Sequence, residues 1–215
     1  MTDDRLVLHG SFTSSSSYKP MLFLALAGLR FSFRTVNLKN GVQKQPAHLA
    51  LNRYGQVPVL QHRGLTIVMS NVILDYLART TGKFEGATEQ ERWRAREWLA
   101  WENDAITNVA RVRHFARFRP DVDRRIVDYF RPGAEAALDF IDKSLEGRQW
   151  LVGDRCTIAD LGCFGRMGVM AEGGMNLDRR PHAAAWRERI MAMPGFALPY
   201  DLIPKKDAEF EAQPR

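Results

Sequence analysis

Five serines crowd a stretch of seven residues, Ser11 and Ser14 to Ser17, with Phe12 and Thr13 among them. In a loop leading from a strand into a helix, such hydroxyls meet an anion together with backbone N–H groups and the positive end of the helix dipole. By composition alone the same run is a flexible turn. Further along, Gln56, Val57 and Pro58 put a proline at the head of a short apolar run, where it withdraws a ladder donor. An edge strand or a cis turn would account for it. Ser70 precedes a segment of helical apolar period, as a cap does, and can receive a carboxylate through its hydroxyl and the first backbone donors. Thr157 and Asp160 have capping-box spacing, with Asp in the usual Glu place. Arg111, Arg113, Arg117 and Arg119 alternate with His114, Phe115 and Phe118, a mixture that can stack bases and neutralise phosphates.

These residues need elements to hold them. Arg5 to His9 reads as a short apolar strand. Pro20 is tolerated in the first turn of a helix, which sets a start near Ser17 for the helix carrying Met21 to Leu29, and Gly28 suits its end. Phe31 to Leu38 alternates as a half-buried strand, and Gln45 to Leu51 is a weak helical piece. Val57 to Leu60 and Leu65 to Val68 flank a turn at Arg63 and Gly64 and predict a hairpin. From Ser70 onward, Val72, Ile73, Leu74, Tyr76 and Leu77 follow the helical period. The order βαβ, helix, ββα gives an α/β domain over 1–80. A glycine-containing, apolar-poor linker over 81–90 follows, then an all-helical domain over 91–215. In that domain Trp93, Leu99, Trp101 and Ile106 open one long helical region, Ile126 to Leu145 forms a second, and Thr157 starts a third with Leu161, Phe164 and Met167 on its apolar face.

With 215 residues, 45% hydrophobic and 26% charged, the chain can bury a substantial core, which excludes disordered and fibrous classes. A net charge of +6 raises nucleic acid as a partner. Yet Glu89, Glu91, Glu97, Glu102, Asp104, Asp121, Asp123 and Asp128 share the arginine-rich region, and mixed signs at helical spacing read as solvated faces, so no nucleic acid is expected. Only Cys156 and Cys163 are present, too few for a disulfide framework or a four-ligand zinc site, and both read as reduced, buried thiols. No apolar stretch is long enough to span a bilayer, and the acidic start at Thr2, Asp3 and Asp4 lacks the basic region of a secretion signal. The expectation is a cytoplasmic protein with no membrane partner, no metal and no nucleotide cofactor.

The segments SFTSSSSYK, LALAGL, LALNRYGQVPVL, MSNVILDYLA, WLVGDRCTIADL and MPGF, in that order over nearly the whole chain, resemble the glutathione transferase family in its serine-type, bacterial-like form. The resemblance implies a thioredoxin-like N-terminal domain, an all-helical C-terminal domain, a homodimer, and glutathione as substrate rather than as resident cofactor. Ser14 falls where serine-type members place the hydroxyl that faces the glutathione sulfur; Ser16, Ser17 and Ser11 are alternatives, and Tyr18 a weaker one. The role follows from thiol chemistry: the thiolate is the nucleophile, and a donated hydroxyl favours it over the thiol. Ser14 and Ser17 occupy the spacing at which a thioredoxin carries two cysteines, so thiol–disulfide exchange at this loop is not expected.

By the same resemblance, Val57 ahead of Pro58 pairs with the cysteinyl backbone, as an open strand edge would permit. Ser70 receives the γ-glutamyl carboxylate, assisted by Gln56, and Lys44 or Lys39 meets the glycyl carboxylate. Most members carry an acid or glutamine just before that serine for the ligand ammonium, whereas this chain has Met69. Losing a charge-assisted hydrogen bond costs about 1.5 to 3 kcal/mol, tenfold or more in affinity. Asn71 would compensate in part, and Asp104 resembles an acid that some family dimers lend across the interface. The second substrate implied is a small apolar electrophile in an acceptor pocket walled by Phe12, Trp101, His114, Phe115 and Phe118, with Arg111 or Arg113 favouring an anionic acceptor. Such conjugation belongs to detoxification. A glutathione-transferase-like binding or scaffold protein with little catalysis is the alternative, and Met69 favours it.

Overall fold

A computed structural model describes residues 4–119 and 121–202. Thr2, Asp3 and the expected helical domain's last residues, 203–215, lie outside the described residues. Two compact units emerge, one ending at Leu77 but regaining the chain from Pro194, the other spanning Ala78–Met193. The break falls within a helix, and the chain from Pro194 groups with the first unit, whereas the sequence assigns everything over 91–215 to the second. Local contacts explain the return: Tyr18 donates its hydroxyl to the Ala197 carbonyl at 2.8 Å, and Tyr200 meets Phe12 edge-on at 5.9 Å.

The first unit is built on β1 (Leu6–Gly10), α1 (Ser15–Leu26), β2 (Phe31–Thr35), α2 (Pro46–Leu51), β3 (Val59–His62), β4 (Leu65–Val68) and α3 (Ser70–Thr81). The sheet order is β2-β1-β3-β4, with β1 parallel to β2, and β3 antiparallel to both β1 and β4. Helix α1 begins two residues before the expected start because Ser14 caps it, which places Pro20 inside the helix rather than in its first turn. There the proline withdraws the helical donor from the Ser16 carbonyl. The far end closes as expected: Gly28 adopts φ +67°, its N–H bonds Ala25, and Leu29 bonds Leu24, the paired pattern of a left-handed helix stop. The hairpin turn falls at Arg63 and Gly64, both at positive φ, but β3 starts at Val59, two residues later than the expected Val57. Leu8, Met21, Leu22, Phe23, Leu24, Leu60, Ile73 and Leu74 are fully buried around the sheet.

The second unit is helical: α4 (Glu89–Trp101), α5 (Thr107–Phe118), α6 (Arg125–Ser144), α7 (Ile158–Met167) and α8 (Pro181–Met191). Between α4 and α5 the chain stays helical but widens to a π-helical stretch, Glu102–Ile106. Buried Glu102 pairs there with Arg166 of α7, so the widened turn carries a charge into the core together with its partner. The capping box at Thr157 and Asp160 forms as read. Asp160 is buried and also accepts from Leu151 N–H at 3.0 Å and Trp186 Nε1 at 2.9 Å, joining the α7 start to α8. Burial raises its carboxyl pKa, against the lowering effect of those bonds.

Candidate functional site

Strand registers bring three segments to one end of the sheet, because His9 faces Val59 and Val59 faces Val68. The loop after β1, the Gln56–Pro58 approach to β3 and the β4–α3 junction at Met69 therefore leave the sheet together. Lys19 of α1 donates to Asn71 Oδ1 of α3 at 2.9 Å, tying the two helices' N-terminal portions near that end. Two helix N-termini there supply orphan N–H donors and positive potential, the physical requirement for binding a carboxylate and a thiolate.

Ser14 is half-buried, extended in backbone, and accepts the Ser17 N–H at 3.2 Å. Accepting occupies a lone pair and leaves the hydroxyl proton available to donate. Ser11 and Ser17 are fully buried: Ser17 Oγ accepts the Ser11 N–H, and Ser11 Oγ accepts the Thr13 N–H, both at 3.2 Å. Ser16 is half-buried in the first turn. Of the four alternatives, burial leaves Ser14 and Ser16 within reach of a ligand, while Tyr18 is fully buried with its hydroxyl on Ala197.

The Val57–Pro58 bond is cis. Ladders on both sides of β3 start at Val59, so Val57 precedes them and β3 is an inner strand rather than an edge. Gln56 is exposed, and its carbonyl accepts from Asn52 Nδ2 at 2.8 Å and His48 Nε2 at 2.9 Å. A carbonyl only accepts, so Nε2 carries the His48 proton. These two buried side chains set the Gln56–Val57 backbone, and the sequence reading missed both. A signal existed for Asn52: its Oδ1 accepts the Tyr54 N–H at 3.1 Å, the local turn that asparagine favours ahead of glycine. Lys44 is exposed and donates to the Tyr54 carbonyl at 3.3 Å, while Lys39 is exposed on the preceding loop.

Met69 is 43% exposed with φ +71°, and its carbonyl accepts the Ile73 N–H, so Ser70 is the first helical residue rather than the cap expected from sequence. A non-glycine residue in that region stores about 1 to 3 kcal/mol of strain. Asn71 does not fit the ammonium role, because its carbonyl oxygen accepts from the Lys19 ammonium. A second cation there would be repelled.

In the second unit, Asp104 is exposed on the π-helical stretch. His114, Phe115 and Phe118 do gather: His114 packs on Phe115 at 5.2 Å and on Phe118 at 6.2 Å, and Phe115 stacks on Phe130 at 5.9 Å. Trp101 belongs to a different cluster, against Trp98 at 5.2 Å and Phe140 at 4.8 Å. Phe12, in the first unit, is buried against Tyr200. Arg113 pairs with Glu172 at 2.7 Å, Arg117 joins the same carboxylate at 3.2 Å, and Arg111 lies over the Phe130 ring at 5.0 Å. Their expected reach toward an anionic acceptor is thus taken up by Glu172 and an aromatic face.

Among the described residues no group of His, Cys, Asp and Glu could hold a metal ion, and no helix is long and apolar enough to cross a membrane. Both cysteines are buried, and burial together with Asp160 pushes the Cys156 thiol pKa well up.

Residues 5–79 match the family description "Glutathione S-transferase, N-terminal domain", and residues 103–194 match "Glutathione S-transferase, C-terminal domain". The chain belongs to the glutathione S-transferase family. It is 29% identical over 203 residues to human glutathione S-transferase theta-2, covering 90% of this chain and 83% of that protein. It is 26% identical over 187 residues to the disulfide-bond oxidoreductase YfcG of Escherichia coli, with 83% and 87% covered. A crystal structure of a glutathione S-transferase from Pseudomonas fluorescens superposes with a TM-score of 0.83 at 28% identity, over 94% of this chain and 99% of the other.

Proposed function

We propose that the chain binds glutathione at the end of the sheet where α1 and α3 begin, and transfers its sulfur to a small apolar electrophile. The half-buried Ser14 hydroxyl carries this reading: it already accepts from the α1 backbone and keeps a proton to give to the thiolate. In this reading the cysteinyl backbone pairs with Val57, whose position His48 and Asn52 hold through the Gln56 carbonyl. The γ-glutamyl carboxylate meets Ser70 at the start of α3, and Lys44 approaches the glycyl carboxylate. The thiolate attacks the electrophilic carbon and the leaving group departs with the displaced electron pair. Ser14 orients and stabilises; it forms no bond to the acceptor. A cytoplasmic homodimer in which exposed Asp104 reaches the partner's ligand completes the proposal.

Calorimetry tests the binding half: glutathione binds wild type, and Ser70→Ala weakens it about tenfold. Equal affinities would send the carboxylate elsewhere.

The named activity of the E. coli relative favours a second reading at the same site. A bound glutathione thiolate attacks one sulfur of a disulfide, the other sulfur leaves as thiolate, and a second glutathione resolves the mixed disulfide to oxidised glutathione. The protein's own buried cysteines take no part. Turnover with a model disulfide and none with aromatic electrophiles would select this reading; binding with neither turnover would select a scaffold.

A further inference from the structure

Helix α1 carries a lysine into the core. Tyr18, Met21, Leu22, Phe23 and Leu24 are fully buried, and Lys19 among them is 0% exposed. Lysine is almost never fully buried without a partner, because taking an ammonium out of water is costly, whereas methionine fills the same unbranched space. Its place therefore calls for a role that an apolar side chain could not fill. Helical side chains lean toward the helix N-terminus and cover the preceding turn, so Lys19 reaches back along α1 over the Ser15 and Ser16 turn. There Nζ donates to Asn71 Oδ1 at 2.9 Å, and Asn71 directly follows Ser70, the first residue of α3.

That bond joins two helix starts. Ser14 caps α1 five residues before Lys19, and Ser70 opens α3 one residue before Asn71. A ligand gripped at two points binds tightly only where both points are held at the matching separation before it arrives. We propose that Lys19 is a positioning residue for glutathione, fixing through Asn71 the separation between the hydroxyl that meets the sulfur and the helix start that receives the γ-glutamyl carboxylate. Asp75 stands one turn beyond Asn71, the spacing that keeps a carboxylate on the same face of α3, so Lys19 acts by holding a position rather than as a bare charge facing the ligand. The inference rests on the glutathione reading above.

Glutathione titrated calorimetrically into the full chain, with the ultraviolet thiolate band followed against pH at saturation, separates positioning from activation. Lys19→Met should weaken glutathione about tenfold. Its thiolate midpoint should stay within about 0.3 pH units of wild type, because Ser14 is untouched. Asn71→Ala should weaken binding to the same degree, and the double variant no further, since both changes remove one bond. Removing a buried cation also costs stability, so affinities are read on variants whose unfolding remains cooperative. Wild-type affinity in a folded Lys19→Met, or a double variant that loses the product of the two single effects, would overturn the proposal. A midpoint that returns to the free-thiol value in Lys19→Met while affinity holds would overturn it too, by placing the action of Lys19 on the sulfur. Should Lys19→Met fail to fold, Asn71→Ala decides: a tenfold loss with the midpoint kept supports the inference, and unchanged affinity overturns it. Wild type that binds no glutathione overturns the reading beneath the inference, and shows this before any variant is made.

Discussion

One hydroxyl accepting a backbone N–H while keeping its proton to donate is the smallest unit of this account. Ser14 therefore has two separable roles. Ser14→Ala should cost about 1 kcal/mol of stability through the lost cap, read by denaturant unfolding, and should also reduce thiol activation. Ser16→Ala should spare the cap. Met69 belongs to the same scale, with a thioether where the ligand ammonium is proposed to lie. Met69→Glu should tighten glutathione binding about tenfold in calorimetry by restoring a charged acceptor; unchanged affinity would show that another group already serves. The crowd of serines was legible in sequence, but which of them stay reachable was not. Burial of Ser11 and Ser17 depends on how α1 packs against the sheet, a long-range outcome that no local pattern encodes. The Lys19 bond that occupies the Asn71 amide oxygen was hidden for a similar reason: its donor lies 52 positions away.

Helices and strands show where local signals sufficed. The capping box at Thr157, the Gly28 helix stop and the turn at Arg63 and Gly64 are short-range chemistry, and each formed as read. Boundaries set by tertiary fit moved: α1 runs through Pro20 because its Ser14 cap and its burial outweigh one missing hydrogen bond, and β3 begins only where β1 and β4 can pair with it. Asp160 is the element-scale residue with the most to lose, since its carboxylate holds Leu151, Thr157 and Trp186. Asp160→Ala should destabilise by about 3 kcal/mol or more, because several buried donors lose their acceptor; a loss below about 1 kcal/mol in chemical denaturation would contradict that weighting. Asn52→Ala should raise the KM for glutathione more than it lowers kcat, as expected if it sets the Gln56–Val57 backbone without touching the reacting sulfur.

For the whole molecule, the family and its two architectures were readable because six segments kept their order along the chain. The return of the chain from Pro194 to the first unit was not, since Ala197 and Tyr200 carry no local signal of their partners. Stability as a function of pH is also a property at this scale. Burial lowers the pKa of His9, and burial with Arg119 and Arg113 lowers that of His114. Below the unfolded histidine pKa of about 6.5 the unfolded chain then binds more protons than the native one, so stability present above that pH is lost as pH falls through the lowered native values. The thermal midpoint should drop between about pH 7 and about pH 5, and drop less in the His9→Gln, His114→Gln double variant.

The central claim concerns the sulfur of bound glutathione, and its ultraviolet absorbance at neutral pH reads the ionisation directly. Saturating wild type with glutathione should produce a thiolate band that rises with pH through a midpoint below the ~8.5 of a free thiol. Ser14→Ala should move that midpoint back toward the free value and lower turnover with an aromatic electrophile by more than it weakens binding, while Ser16→Ala should leave both near wild type. A wild-type complex that binds glutathione without any thiolate band, or a Ser14→Ala band indistinguishable from wild type, would contradict the account.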